Sequence, residues 1–263
     1  MNILALKLIL APLIIGGASL AGRRWGPTVS GWLIGLPLTS GPVVLIVALS
    51  HGAAFAAPTV LGTLSGGLSL VAFCLSYAWL AISLPWPVAI TGSMFCFALV
   101  TILMQNLVLP LAPIFLLVVA VILAGLWLMP HGEQLIAHDE KPGRWDIPVR
   151  ILIGTAFILA VTGVAPFIGP RLTGLLSTIP LYTAILTIFA QRLHGPAGAG
   201  SVLRGLLFGL FGFSGFYLVL ALLLERIGIA PAFIASTLAT LVIQGLSFLV
   251  LRKSSLKNTS ITG

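Results

Sequence analysis

The sequence predicts an all-α polytopic membrane protein of about nine transmembrane helices arranged as 4+1+4 inverted repeats. Three observations predict it: an apolar composition, apolar runs of membrane-spanning length, and self-similarity at a fixed offset. Hydrophobic residues make up 59% of the 263-residue chain and charged residues 7%. Soluble domains carry about 25% charged residues, enough to cover a surface that this chain could not cover. An outer-membrane barrel would alternate polar and apolar residues. The run Ile114-Phe115-Leu116-Leu117-Val118-Val119-Ala120-Val121-Ile122-Leu123 does not alternate and reads as helix.

Spans are expected near 3–22, 27–50, 53–83, 86–108, 110–129, 147–168, 172–193, 197–224 and 229–251. The first resembles a signal peptide, with Lys7 before an apolar stretch and small residues at Ala18-Ser19-Leu20-Ala21. It reads instead as a helix, because 147–168 holds the same place in the second half. The stretch Trp86–Leu128 is uncharged. As one helix it would reach about 64 Å, twice a hydrocarbon core of about 30 Å. Two spans fit it, with Pro110 and Pro113 at the break. The most polar segment, His131 to Asp146, contains Glu133, Asp139, Glu140, Lys141 and Arg144 and reads as a solvated connector.

The formal charge of +8 would suggest nucleic acid in a soluble protein. In a membrane protein, basic residues collect in cytoplasmic loops and set orientation. With the N-terminus outside, Arg23, Arg24, Lys141, Arg144, Arg150, Arg192, Arg204, Arg252, Lys253 and Lys257 fall inside. Lys7, Arg171 and Arg226 fall outside. The bias favours an outer N-terminus and a cytoplasmic C-terminus, with lipid rather than nucleic acid as the partner. Cys74 and Cys96 lie in apolar runs and read as packing residues. No Cys-x-x-Cys or His-rich cluster supports a metal or a disulfide.

Self-similarity appears without a gap at an offset of 143 residues. Gly26-Pro27 matches Gly169-Pro170, Pro37-Leu38 matches Pro180-Leu181, and His51-Gly52 matches His194-Gly195. Gly31, Leu33, Ala54, Gly62, Leu64 and Gly66 match Gly174, Leu176, Ala197, Gly205, Leu207 and Gly209. Lys7 matches Arg150 in charge, and Ser40 matches Thr183 as a hydroxyl. The chain therefore divides into repeat 1 (1–109), a linking helix with a polar loop (110–146), and repeat 2 with a basic tail (147–263). Five crossings separate equivalent helices, an odd number, so the repeats face opposite ways. Inverted repeats are a common build of secondary transporters.

The stretch Gly35-Leu36-Pro37-Leu38 with Gly52, and less fully Pro180-Leu181 with Gly195, resembles the GlpM-like family of small bacterial inner-membrane proteins. The similarity covers each repeat but not 110–129. It implies a multi-pass protein of the bacterial cytoplasmic membrane and brings no biochemical role with it. By architecture alone, the 4+1+4 layout is similar to the inverted halves of drug/metabolite transporters.

The second helix of each repeat is the expected site. Pro37 and Pro180 interrupt it, and a broken helix is tolerated in lipid only where protein or a water-filled cavity satisfies its backbone. Matched interruptions point to a midplane substrate site, lined by Pro37, Thr39, Ser40, Pro180, Tyr182 and Thr183. Lys7 and Arg150 would join it if they face the cavity, which would suit an anion; otherwise they snorkel to the interface. His51 and His194 read as gates near opposite surfaces, or as interfacial turn residues. Glu133, Asp139, Glu140, Asp146 and Glu225 lie in loops or at helix ends, which argues against a pump built on a buried carboxylate. No P-loop, Ser-His-Asp or metalloprotease signature occurs, so no enzyme and no cofactor is expected. Glycines at 62, 66, 67, 205, 209, 212 and 215 read as helix-packing positions. The expected function is a secondary transporter or exporter of a small organic or anionic solute. The alternative is a non-transporting scaffold or accessory subunit of an envelope process, and either is compatible with a homo-oligomer.

Topology is directly testable. In a chain with Cys74 and Cys96 replaced by alanine, Arg24→Cys and Arg171→Cys are expected to react with an impermeant maleimide from opposite sides. Labelling of both from one side would break the inverted arrangement.

Overall fold

The computed structural model describes residues 32, 33, 35–130 and 146–259, of which 146, 147, 149, 150 and 248–259 by backbone alone. The expected helix 3–22, Lys7, the polar stretch 131–145 and the side chain of Arg150 lie outside the described residues. The elements are α1 (Ser40–His51), α2 (Ala53–Ser83), α3 (Trp86–Asn106), α4 (Leu111–Leu128), α5 (Asp146–Ile168), α6 (Pro170–Leu176), α7 (Leu181–Ile227) and α8 (Ile229–Thr259). No strand occurs among the described residues. Six helical stretches among them are long and apolar enough to cross a bilayer, as expected of a multi-pass membrane protein.

The helix ends follow local chemistry. α1 stops at Gly52, whose φ of 84° suits glycine and whose N–H bonds to the Ala48 carbonyl at 2.9 Å. The matching glycine, Gly195, breaks α7 with φ 66° and ψ −162°. α7 is therefore two arms, 181–194 and 196–227. Pro85 and Pro110 precede α3 and α4, where a missing N–H costs nothing. α2 ends at Ser83 and α3 starts at Trp86, while α7 ends at Ile227 and α8 starts at Ile229. The start of α8 falls 143 residues after that of α3. The first-turn bond Ala89 N–H to Pro85 O recurs at the same offset as Ala232 N–H to Gly228 O.

α2 and the 196–227 arm form the centre and are mostly buried, whereas α3, α4, α5 and α8 turn most of their surface outward. α2 runs parallel to the 170–194 segment: Gly62 lies against Arg171, Gly66 against Thr178, and Tyr77 against Gln191. The 196–227 arm runs antiparallel to α2. Its start, Gly198, packs on Ala190 and His194 near the far end of α2, and its Phe213 returns to Gly67. α4 spans the pair, touching Gly67 through Val118 and leaving Gly125 between Val71 and Leu207. Each central helix also forms a hairpin with its successor: Thr101 Oγ1 donates to Ser69 Oγ at 2.9 Å between α3 and α2, and Gly212 faces Gln244 between α7 and α8. Those two contacts are again 143 residues apart.

Glycine permits the closest crossings, where backbones meet with no side chain between them. A Cβ on Gly174 would collide with the Thr59 carbonyl, and one on Gly62 with the Arg171 carbonyl. Gly163 and Gly200 face open space. Gly174→Ala is therefore expected to cost about 1–3 kcal/mol through overpacking. Gly163→Ala and Gly200→Ala should stay within about 0.5 kcal/mol of wild type or gain slightly from helix propensity. Thermal unfolding in detergent checks the contrast; equal losses at all three would show that the Gly174 crossing is loose.

Candidate functional site at the helix interruptions

Both prolines break their helix as the sequence predicts, and by the same hydrogen bonds. In the first half, Leu36 N–H reaches Leu33 O at 3.1 Å, Leu38 N–H reaches Leu36 O at 2.7 Å, and Gly41 N–H reaches Pro37 O at 2.9 Å. In the second, Ile179 N–H reaches Leu176 O at 3.1 Å, Leu181 N–H reaches Ile179 O at 2.9 Å, and Ala184 N–H reaches Pro180 O at 2.8 Å. The middle bond of each set skips one residue and closes a γ-turn centred on the proline. Pro180 has the matching inverse γ-turn angles, φ −82° and ψ 52°. Proline supplies no N–H for an α-helical bond, so the chain tightens and then restarts as α1 or α7.

Each interruption sits on the central helix of the other half. Gly35 meets Gly209 backbone to backbone, at a spot where neither could carry a Cβ. Thr178 covers Gly66, and the Thr63 and Ser177 hydroxyls lie 3.3 Å apart. The first pairing maps onto the second at the 143-residue offset, with partners exchanged. Position 35 of one half meets 66 of the other, and the reverse.

The predicted site residues distribute as follows. Pro37 and Thr39 are half-buried in the first turn, and Thr39 is the residue before α1. Ser40 is buried at the start of α1. Pro180 is buried, Tyr182 packs partly buried against the core, and Thr183 is buried one turn into α7. His51 closes α1, exposed, with its ring 4.9 Å from that of Phe55. His194 closes the 181–194 arm, with a buried Nδ1 that has no hydrogen-bond partner among the described residues. Each histidine lies eleven residues past Ser40 or Thr183, or about 16 Å along the helix, so neither reaches the interruptions.

Four further features escape sequence reading. The Arg171 guanidinium donates to the Met104 carbonyl at 2.8 Å and to the Leu107 carbonyl. It thus caps the C-terminal end of α3, where unpaired carbonyls and the helix dipole favour a cation. Tyr77 Oη donates to Gln191 Oε1 at 2.8 Å, and Gln191 Nε2 donates to Leu84 O at 3.2 Å. Trp32 Nε1 donates to Ser247 Oγ at 2.9 Å, and Gln244 Nε2 to Trp32 O at 2.9 Å. Tyr217, wholly buried, stands beside Ser40, yet the two fall short of hydrogen-bond geometry and Tyr217 Oη has no partner among the described residues. Its ring packs on Phe213 with centroids 4.7 Å apart, and Phe213 touches Gly67. A continuous line of contact therefore joins the two interruptions through Gly66, Gly67, Phe213 and Tyr217.

Among the described residues no grouping of His, Cys, Asp or Glu could hold a metal. Cys74 is buried, Cys96 is half-buried, and both are free thiols. Glu225 is exposed at the end of α7, and no other Asp or Glu side chain is described. Among the described residues, the side chains at the two interruptions are uncharged. Comparison with protein-family models, with curated proteins and with solved structures gives no match to this chain.

A double-mutant cycle on Tyr77→Phe and Gln191→Leu is expected to show coupling of about 0.6 kcal/mol, and at most about 1.7, as for hydrogen bonds between membrane helices. The cycle on Ser40→Ala and Tyr217→Phe should show none. Comparable coupling in both would mean that Ser40 and Tyr217 are bonded.

Proposed function

We propose that the protein is a secondary transporter or exporter of a small organic or anionic solute, working by alternating access at a midplane site between two inverted repeats. The observation that carries this reading is the duplicated interruption: two proline-centred γ-turns with matching bonds, each seated on the central helix of the opposite half. Interrupted helices whose turns meet a partner repeat near the middle of the bilayer are the usual location of substrate sites in such transporters. In lipid, an interrupted backbone is tolerated where it is covered by protein or lines a cavity.

The inverted, nine-helix layout belongs to the same proposal. The antiparallel course of α2 and the 196–227 arm favours repeats that face opposite ways. The exchange of Gly35–Gly209 for Thr178–Gly66 favours a two-fold relation between them. The matching starts of α3 and α8 favour four helices per repeat, with α4 as the unpaired ninth span. The positive-inside bias then places the N-terminus outside and the C-terminus in the cytoplasm, in a bacterial inner membrane if the GlpM-like resemblance holds.

The test is uptake into proteoliposomes from a bacterial metabolite extract, read by mass spectrometry. Wild-type protein should concentrate or exchange at least one solute. Pro37→Ala, Ser40→Ala, Pro180→Ala and Thr183→Ala should each lower that flux about tenfold or more, as expected when a positioned binding group is lost, with membrane insertion unaltered. No protein-dependent flux for any solute, together with four correctly inserted variants indistinguishable from wild type, would leave the scaffold.

A further inference from the structure

We propose that Arg204 marks a binding site for an anionic glycerophospholipid, with the lipid phosphate on the guanidinium and an acyl chain along Phe208 and Phe211. Such a site is independent of transport. One face of the 196–227 arm is left uncovered by the described helices. From 197 to 217 only Ala197, Gly200, Arg204, Phe208 and Phe211 are not buried. They recur every three or four residues and so share a face. The other sides of the arm are taken. Gly198 lies against Ala190 and His194, Phe213 against Gly67, Leu207 against Gly125 of α4, and Gly212 against Gln244 of α8. At about 100° per residue, the uncovered face falls between the directions of Leu207 and Gly212, and so between α4 and α8.

The order of residues along this face suits a lipid. Ala197 and Gly200 are small, and a Cβ on Gly200 would meet nothing within 4 Å. The cation comes next, and then two phenylalanines about one and two turns nearer the Gly35–Gly209 crossing. The level of Arg204 in the bilayer is also marked. As α4 passes from Val118 to Gly125, the arm passes back from Phe213 to Leu207. Arg204, just beyond Leu207, is therefore level with Leu128, just beyond Gly125. Two exposed tryptophans stand there: Trp127, and Trp79, whose Nε1 donates to the Leu128 carbonyl at 3.2 Å. Tryptophan collects at the headgroup boundary. The hairpin of α7 and α8 adds charge at this level. Gly212 faces Gln244 across antiparallel helices, so position 204 comes level with position 252. The backbone of α8 thus carries Arg252 and Lys253 to the same end of the bundle.

An anion is what this position lacks. The Arg204 guanidinium makes no hydrogen bond or ion pair with a described residue. A half-buried cation at the edge of the hydrocarbon is costly unless paired. A guanidinium takes two phosphate oxygens at once, and a basic membrane end draws anionic lipid. Simple snorkelling to water would need no lipid of a given charge. The counterpart of Arg204 in the first half is Leu61, so the cation belongs to this end of the molecule and not to the repeated unit.

The test counts lipid on the full chain by native mass spectrometry, with dioleoyl phosphatidylglycerol or dioleoyl phosphatidylcholine titrated in detergent. Phosphatidylglycerol should be held about tenfold more tightly than phosphatidylcholine, and Arg204→Gln should weaken it about tenfold, as expected when a charge-assisted pair is lost. Gly200→Leu fills the uncovered face without touching the protein. It should weaken the lipid likewise, and it decides alone if Arg204→Gln fails to insert. Arg192→Gln removes an exposed cation at the same end and should change nothing. Equal affinity for the two lipids overturns the proposal and leaves Arg204 to water or to another part of the chain. Phosphatidylglycerol binding unchanged in both variants overturns it as well. So does an equal loss in Arg192→Gln, which would show diffuse surface charge. Displacement of the lipid by millimolar inorganic phosphate would make this a site for a soluble anion and overturn the lipid assignment.

Discussion

A peptide group inside a bilayer must find its hydrogen bond within the protein, and the architecture of this chain follows from how it meets that demand at two interrupted helices. Proline removes one donor and blocks the α-helical path. The chain answers with a γ-turn and a restarted helix at Pro37, and again at Pro180. Polar backbone near such a turn survives in lipid only under a protein cover. The cover is the central helix of the opposite half, and glycine is what lets it approach. Gly35 and Gly209 meet as bare backbone, while Gly62 and Gly174 accept the Arg171 and Thr59 carbonyls where a methyl would not fit. Gly62, Gly66 and Gly209 on the central helices thus receive the segments that carry the interruptions, whereas Gly67, Gly212 and Gly215 admit side chains of other helices.

How much of this was legible in the sequence depends on the range of each interaction. Helix boundaries were legible because they are local. A proline before Trp86, a proline before Leu111 and a glycine after His51 each act on their own turn, and the helices start and stop there. The γ-turns were foreshadowed by matched Pro-Leu pairs, since the proline alone suffices to break the α-helical bond. Pairings between distant segments were not legible. Arg171 was read as a loop cation that reports orientation, whereas it binds the carbonyls at the end of α3 from some 65 residues away. Tyr217 lies in a run of aromatic and aliphatic residues, and no pattern marks one hydroxyl there as unpaired. Thr183, Thr187 and Gln191 do carry a signal, a polar residue at every fourth position of an apolar helix, which could have been found by periodicity alone.

The reciprocal contacts between the halves share a geometry and differ in chemistry. On one side, the segment 170–194 is tied to α2 by directional bonds: Thr63 to Ser177, Tyr77 to Gln191, and Gln191 to the Leu84 carbonyl. On the other, the positions equivalent to Thr59, Thr63 and Tyr77 are Val202, Leu206 and Leu220, all buried and apolar. Gly35 rests there on bare backbone, and Ser40 stops short of a bond to Tyr217. Each interrupted helix is still anchored at its start to the fourth helix opposite, Arg171 to α3 and Trp32 to α8.

That difference bears on any motion of one half against the other. In a pair of repeats with identical interfaces, the two end states would be related by a two-fold rotation and equal in the energy of those interfaces. Here sliding at the α2 interface breaks oriented hydrogen bonds, each worth about 0.5–1.5 kcal/mol net. Sliding at the Gly35–Gly209 interface would break the two oriented bonds of Trp32, one to Ser247 and one from Gln244, and otherwise exchanges non-directional contacts. A ligand can shift such an equilibrium only by its differential affinity for the two states. The two contacts thus differ in kind: hydroxyls and an amide hold the segment 170–194 to α2, whereas bare backbone and aliphatic side chains receive Gly35.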